Sequence, residues 1–243
     1  MQSILITGCN RGLGLGLVRQ IIEKTASSRP RNVIATCRDV NKAAELQEIA
    51  KKHPNVHILK LDIRNTEQFE GFVEEVEAIV GPAGLNILFN NAGYAPKSTR
   101  INSVKAEQLA ETFTTNTIGP IMLTKALLPL LKRAANDKNK ISAIVNMTSI
   151  LGSIASNTDG GLYPYRCSKA AVNMATKSLS VDLKNDGIIV TCIHPGWVKT
   201  DMGGSNAPMD VDVSCTGLLN FIDNLSKEQN GKFFQWDGKE LPW

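Results

Sequence analysis

Tyr165 and Lys169 stand four residues apart in Tyr165-Arg166-Cys167-Ser168-Lys169, so on a helix the phenol and the ammonium share one face. A phenol with an ordinary pKa of about 10 is a poor acid–base group at neutral pH, and a neighbouring ammonium favours its phenolate. Lys169 is therefore expected to tune Tyr165. Ser149, which closes Asn146-Met147-Thr148-Ser149 behind an apolar run, adds a hydroxyl at a strand end. Together the three groups suit proton transfer to or from a substrate oxygen. Plainer roles exist for each: a helix-start tyrosine with its hydroxyl in water, and a serine that forms a strand-end turn. Only three tyrosines occur, and four residues beyond Tyr94 and Tyr163 stand Ser98 and Cys167, so neither rival has the cation.

A second group of residues could hold a phosphate. The first apolar run ends in Thr7-Gly8-Cys9-Asn10-Arg11-Gly12-Leu13-Gly14-Leu15-Gly16, directly before a segment of helical period. Such a turn binds pyrophosphate because missing side chains let the backbone approach, while the helix N-terminus supplies N–H donors and a positive dipole. The spacing is TGxxxGxG rather than GxGxxG, and a tight turn with close helix packing would use the same glycines. The second run ends in Ala35-Thr36-Cys37-Arg38-Asp39, where dinucleotide folds carry an acid for the adenosine ribose. A neutral Cys37 followed by Arg38, with Arg11 on the glycine loop, suits a 2′-phosphate and favours NADP(H). The competing reading makes Asp39 the ribose acid and Arg38 a solvated charge. Asn90-Asn91-Ala92-Gly93 and Asp62 follow two further runs, each readable as a local turn or cap, or as part of a ligand site.

The elements that must position these residues alternate along the chain. Apolar runs at Ser3–Thr7, Asn32–Thr36, Val56–Lys60, Asn86–Phe89, Ile141–Met147, Ile188–His194 and Lys232–Gln235 have strand length and little polar interruption. Between them, Leu13–Lys24, Asn41–Lys52, Thr66–Val80, Val104–Arg133, Tyr165–Lys184 and Asp212–Ser226 have helical length and period. This order predicts βαβ units and an α/β fold: one doubly wound, Rossmann-type parallel sheet of about seven strands, helices on both faces, and ligands at the carboxyl strand ends. Neither linker, repeat nor charge block divides the chain, so one domain over 1–243 is expected.

Composition narrows the class. Twenty-seven Lys and Arg against 23 Asp and Glu leave a net charge of +4, dispersed along the chain, which gives no footprint for nucleic acid. Five scattered cysteines without a CxxC pair form neither a disulfide framework nor a metal site, which points to a reducing compartment, the cytoplasm. The start of the chain has no basic, apolar leader, and no run of roughly 18 apolar residues occurs, so neither secretion nor membrane spanning is expected.

These motifs, in this order, resemble the short-chain dehydrogenase/reductase family: Thr7–Gly14 its TGxxxGxG loop, Asn90–Gly93 its NNAG, Asn116 its helix asparagine, Ser149 and Tyr165/Lys169 its Ser and YxxxK, Pro195-Gly196 its PG. The likeness covers nearly the whole chain. Within the family, Ile4–Val18, Asn86–Lys97 and His194–Gly204 are most similar to the sniffer-type carbonyl reductases. The resemblance implies reduction of an aldehyde, ketone or quinone, with Tyr165 giving a proton to the carbonyl oxygen, Ser149 bonding that oxygen and Lys169 binding the nicotinamide ribose. It implies that Asn116 anchors a relay water, although a buried asparagine bonding backbone would read the same. Gly8, Asn10, Arg11, Gly12, Leu13, Gly14, Cys37, Arg38, Asp62, Ile63, Asn90, Ala92, Gly93, Pro195, Gly196, Val198 and Thr200 fall on cofactor-binding positions, with Thr200 at the carboxamide.

It further implies a homodimer and a mobile substrate loop at Asp201–Asp212; Leu151, Tyr163, Trp197, Met202 and Met209 read as apolar walls of the substrate site or, equally, as packed core or surface. Ser149 and Tyr165 lie sixteen positions apart, a few more than is usual in the family, the extra residues falling in Ser156–Gly161. Two other functions remain open from sequence: NADP-dependent oxidation of a secondary alcohol or steroid, and a dinucleotide sensor without turnover.

Overall fold

The computed structural model describes residues 2–25, 28–97 and 100–243. Seven strands form one sheet: β1 (Ser3–Ile6), β2 (Asn32–Cys37), β3 (Val56–Lys60), β4 (Ile87–Asn90), β5 (Ser142–Met147), β6 (Ile188–His194) and β7 (Phe233–Gln235). Every neighbouring pair is parallel and the order is β3-β2-β1-β4-β5-β6-β7. The chain reverses its direction of travel between β1 and β4, which opens a crevice above their carboxyl ends where ligands of such sheets bind.

Side-chain alternation builds a core on each face. Ile4, Ile6, Val33, Ala35, Ile87, Phe89, Ala143 and Val145 pack against α1 (Gly12–Glu23), α2 (Ala44–Lys52) and α7 (Val211–Asp223). Leu5, Ile34, Leu88 and Ile144, one residue out of phase, pack against α3 (Phe69–Val80) and α5 (Gly119–Ala135). Leu5, Leu88 and Ile144 are fully buried, each contributing about 1.5–3 kcal/mol from removal of apolar surface from water. Burial on both faces explains why these strands read as continuous apolar runs.

The expected helix Val104–Arg133 is not continuous. Ala106–Phe113 (α4) passes into a π-helical turn, Thr114–Ile118, before α5 begins. The turn holds Asn116, whose amide bonds the backbone of Tyr94 instead of facing solvent. Helix α6 runs Tyr163–Asp182, two residues earlier than its apolar period suggested, because Pro164 suits a first helical turn and Leu162 enters it at φ 49°. Among the described residues no helix is long and apolar enough to cross a membrane.

Candidate active site

The glycine loop leaves β1 beside the end of β4, and the two are bolted together by Thr7 and Asn91. Thr7 Oγ1 accepts from the backbone N–H groups of Asn91 and Ala92 at 3.0 and 2.9 Å, and Asn91 Nδ2 donates to the Thr7 carbonyl at 2.7 Å. Gly14, in the first turn of α1, passes so close that a Cβ there would overlap the Gly8 carbonyl oxygen and approach Asn91 Nδ2 at 2.8 Å. Gly8 itself adopts φ 73°, a left-handed conformation open to glycine. Backbone rather than side chain therefore lines the mouth of α1.

Above these ends lies a cleft of about 630 Å³, within the range of cofactor sites. Of the expected cofactor positions, Gly8, Asn10, Arg11, Gly12, Leu13, Gly14, Cys37, Arg38, Asp62, Ile63, Ala92, Gly93, Tyr165, Lys169, Pro195 and Thr200 all line it. Three do not. Asn90 shares the parity of Leu88 and faces α5, its Nδ2 donating to Asn146 Oδ1 at 2.8 Å and to Thr124 Oγ1 at 3.3 Å. Gly196 packs against Met209 and Trp236, and Val198 is buried and bridged to Met209.

At the β2 end, Cys37 is buried with its thiol pushed up by desolvation, while Arg38 is exposed. Asp39 caps the next turn by accepting from Asn41 N–H and pairs with Lys42, outside the cleft wall. The Asp39 carboxylate is thus engaged in the local turn, while Cys37 and Arg38 face the cleft. Arg11 reaches across the cleft to Asp201 at 2.5 Å, a contact between two exposed groups that is worth little in water. Asp62 is gripped by Arg64, whose Nε and Nη2 donate to its two oxygens at 3.0 and 2.7 Å, and this holds its carboxyl below the usual range. Arg64 was not legible as a site residue, because a lone arginine after a strand carries no spacing signal.

At the other end, α6 presents Tyr165 and Lys169 beneath Ser149. Ser149 is buried and its hydroxyl accepts from the Leu151 N–H at 3.2 Å; the serine acts to lower the Tyr165 phenol, but desolvation outweighs it and pushes the phenol up to about 12. Lys169 is buried and held down to about 8 by desolvation, with the Cys192 thiol opposing. Lys169 Nζ donates to the Met147 carbonyl at 2.7 Å and lies 5.7 Å from the centre of the Tyr165 ring, so the two groups share one end of the cleft while burial dominates the phenol. The phenol is thus a protonated donor at neutral pH.

Asn116 lies on the far side of Gly93 from the cleft floor: a Cβ on Gly93 would be 3.5 Å from Asn116 Oδ1 and 3.9 Å from Lys169 Nζ. Its side chain is fully engaged, with Oδ1 accepting from Tyr94 N–H at 2.7 Å and Nδ2 donating to Tyr94 O and Ser168 Oγ at 2.8 and 3.0 Å. Of the five expected apolar wall residues, only Met202 lines the cleft. Trp197 instead donates its indole N–H to the Gly203 carbonyl at 2.8 Å, tying the loop, and Met209 packs on Gly196. Tyr163 is exposed at the helix start and Leu151 is half-buried in the turn after Ser149.

A seven-stranded parallel sheet with a glycine loop at its switch point and a Ser, Tyr, Lys set along the same rim defines a nucleotide-dependent oxidoreductase fold. The family model for short chain dehydrogenases matches residues 2–210, and the chain belongs to that family. It is 52% identical to the carbonyl reductase Sniffer of Drosophila melanogaster, each chain covered in full, with a TM-score of 0.98. It is 40% identical to an NADPH-bound carbonyl reductase from chicken fatty liver, covering all of this chain and 99% of that one, with a TM-score of 0.94. The C-signal protein of Myxococcus xanthus is 43% identical over 159 residues, which are 65% of this chain and 93% of that protein.

Proposed function

We propose that the protein reduces aldehydes, ketones or quinones with NADPH. The observation that carries this reading is the cleft itself, with Tyr165 and Lys169 at one end and Arg38 and Arg11 at the other. The cradle fits a dinucleotide: the Gly8–Gly14 turn leaves room for pyrophosphate at the N-terminus of α1, where a Cβ on Gly14 would fill the turn. Arg38 and Arg11 would hold the 2′-phosphate beside neutral Cys37, Asp62 and Ile63 would flank the adenosine, and Ala92, Gly93, Pro195 and Thr200 would line the path toward the nicotinamide. The similarity to a carbonyl reductase with bound NADPH supports the same choice.

When bound, the reduced cofactor supplies the hydride. Tyr165 gives its proton to the carbonyl oxygen and Ser149 hydrogen-bonds that oxygen, stabilising the charge that develops there. Lys169 would bind the cofactor ribose, and Asn116, which holds the Tyr94 backbone, would anchor the water of a proton relay behind Lys169. The same residues run the reaction in either direction, and the supply of reduced cofactor sets it toward reduction. The substrate would enter past Met202 and the loop that Trp197 ties down. The same reading has two copies meet through the α4–α5 segment, with its π-helical turn, and α6, where Ile118, Ile121, Met174 and Val181 are exposed. The free thiols suit a reducing compartment such as the cytoplasm.

Two results are expected. Arg38→Asp moves cofactor preference toward NADH, because a carboxylate repels the 2′-phosphate and accepts from ribose hydroxyls; unchanged Michaelis constants for both cofactors would remove Arg38 from the phosphate site. The pH profile follows from Lys169, whose folded pKa is lowered to about 8. The ammonium is charged below that value and neutral above it, so kcat/KM for reduction is steady at lower pH and falls as pH rises through about 8. A profile flat to pH ~10, the range of an unperturbed lysine, would show that the charge on Lys169 is not needed.

A further inference from the structure

The hydroxyl of Ser149 caps a short turn, accepting from the Leu151 N–H at 3.2 Å. Ser149 is extended at φ −152°, and the 3-10 turn Ile150–Gly152 follows at once. Buried in α6, one and two turns beyond Lys169 and Tyr165 on the same face, stands Asn173, which is 4% exposed. Its two amide atoms reach opposite sides of Ser149. Asn173 Oδ1 accepts from the hydroxyl of Thr148, the residue before Ser149, at 2.6 Å. Asn173 Nδ2 donates to the carbonyl of Gly152, the end of the turn, at 3.2 Å.

Gly152 can come this close because it has no side chain: a Cβ there would stand 2.7 Å from the Lys169 carbonyl carbon and 2.8 Å from Lys169 Cβ. Lys169 Nζ already holds the Met147 carbonyl on the same stretch. One helix face thus fastens Met147, Thr148 and Gly152, and Ser149 is the residue between those anchors whose hydroxyl faces Tyr165. The amide orientation is fixed by its partners, since exchanging oxygen and nitrogen would set an acceptor against the Gly152 carbonyl.

We propose that Asn173 is a positioning residue, setting the Ser149 hydroxyl against the Tyr165 phenol by clamping the backbone on both sides of it. The inference rests on the reading that Ser149 stabilises the carbonyl oxygen, and it adds a residue that touches neither substrate nor cofactor. Misplacement of a reacting group by about 1 Å can cost on the order of 10²-fold, so Asn173→Ala lowers kcat by that order with KM for NADPH unchanged.

Thr148→Val removes one of the two bonds and gives a smaller loss. The test is a double-mutant cycle: carbonyl reduction by the wild type, Asn173→Ala, Thr148→Val, Ser149→Ala and each variant combined with Ser149→Ala. The expected result is that Asn173→Ala and Thr148→Val lower kcat in the wild type and have no further effect once Ser149 is alanine. Equal losses in both backgrounds, or no loss in the wild type while Ser149→Ala is impaired, would overturn the positioning role alone. A Ser149→Ala enzyme with undiminished kcat would instead overturn the role of Ser149, and the clamp with it. Should Asn173→Ala fail to fold, the Thr148→Val pair decides by the same comparison.

Discussion

Tyr165→Phe is expected to lower kcat for carbonyl reduction by about 10²–10⁴-fold, the usual contribution of a positioned general acid. The substitution keeps the ring and the path of α6 and removes only the O–H. Nothing else near the oxygen can replace it: Ser149 is a far weaker acid, and Lys169 has its ammonium on the Met147 carbonyl. Tyr94 lines the cleft and Tyr163 sits exposed at the helix start, and neither has a lysine four residues on. Cofactor affinity, measured by quenching of protein fluorescence, should change little, since the cradle lies on the glycine loop. A loss of less than about tenfold would mean that protonation does not pass through this phenol.

Gly14→Ala is expected to abolish productive NADPH binding and to lower stability. The added methyl would overlap the Gly8 carbonyl oxygen and press on Asn91 Nδ2, the amide that bonds Thr7. Both neighbours belong to backbone or to a fixed network, so neither can swing away. Overpacking of this kind costs about 1–3 kcal/mol, a drop of several degrees in Tm for a chain of this size. The displaced turn also carries the N–H groups meant for pyrophosphate. Gly71→Ala is the control: nothing lies within 4 Å of its Cβ on α3, and alanine there should be neutral or stabilising in a helix. Equal NADPH affinity in Gly14→Ala and wild type would mean that the turn is not the phosphate cradle.

Much of this was legible in the residues. Burial of the sheet on both faces was, because Ile4 and Ile6 pack on one side and Leu5 on the other and so read as one apolar run. The Tyr165/Lys169 pair was, since a helix brings residues four apart together whatever surrounds it. What the sequence could not carry was desolvation: the spacing suggested that Lys169 lowers the phenol, whereas burial raises Tyr165 and lowers Lys169, and the ammonium bonds a strand carbonyl. Asn90 looked like a cofactor contact, yet its parity on β4 turns it toward Asn146. Trp197 and Met209 looked like pocket walls because they are large and apolar, but the loop uses one for its indole N–H and the other to pack Gly196. Asn173 carried no signal at all. Its role depends on the Thr148–Gly152 stretch, 21 to 25 residues earlier in sequence, being folded against it, which only the sheet order β5-β6 and the docking of α6 bring about.

The central claim is that this chain transfers hydride to a carbonyl carbon with protonation by Tyr165. The most direct measurement incubates the enzyme with NADPH carrying deuterium at the transferring position and a panel of aromatic ketones, quinones and long-chain aldehydes, followed by mass spectrometry of the alcohol products. The expected result is deuterium on the former carbonyl carbon of at least one product, formed by the wild type and nearly absent with Tyr165→Phe. Tight NADPH binding with no labelled alcohol from any member of the panel, or labelled alcohol formed equally by the Tyr165→Phe enzyme, would contradict it.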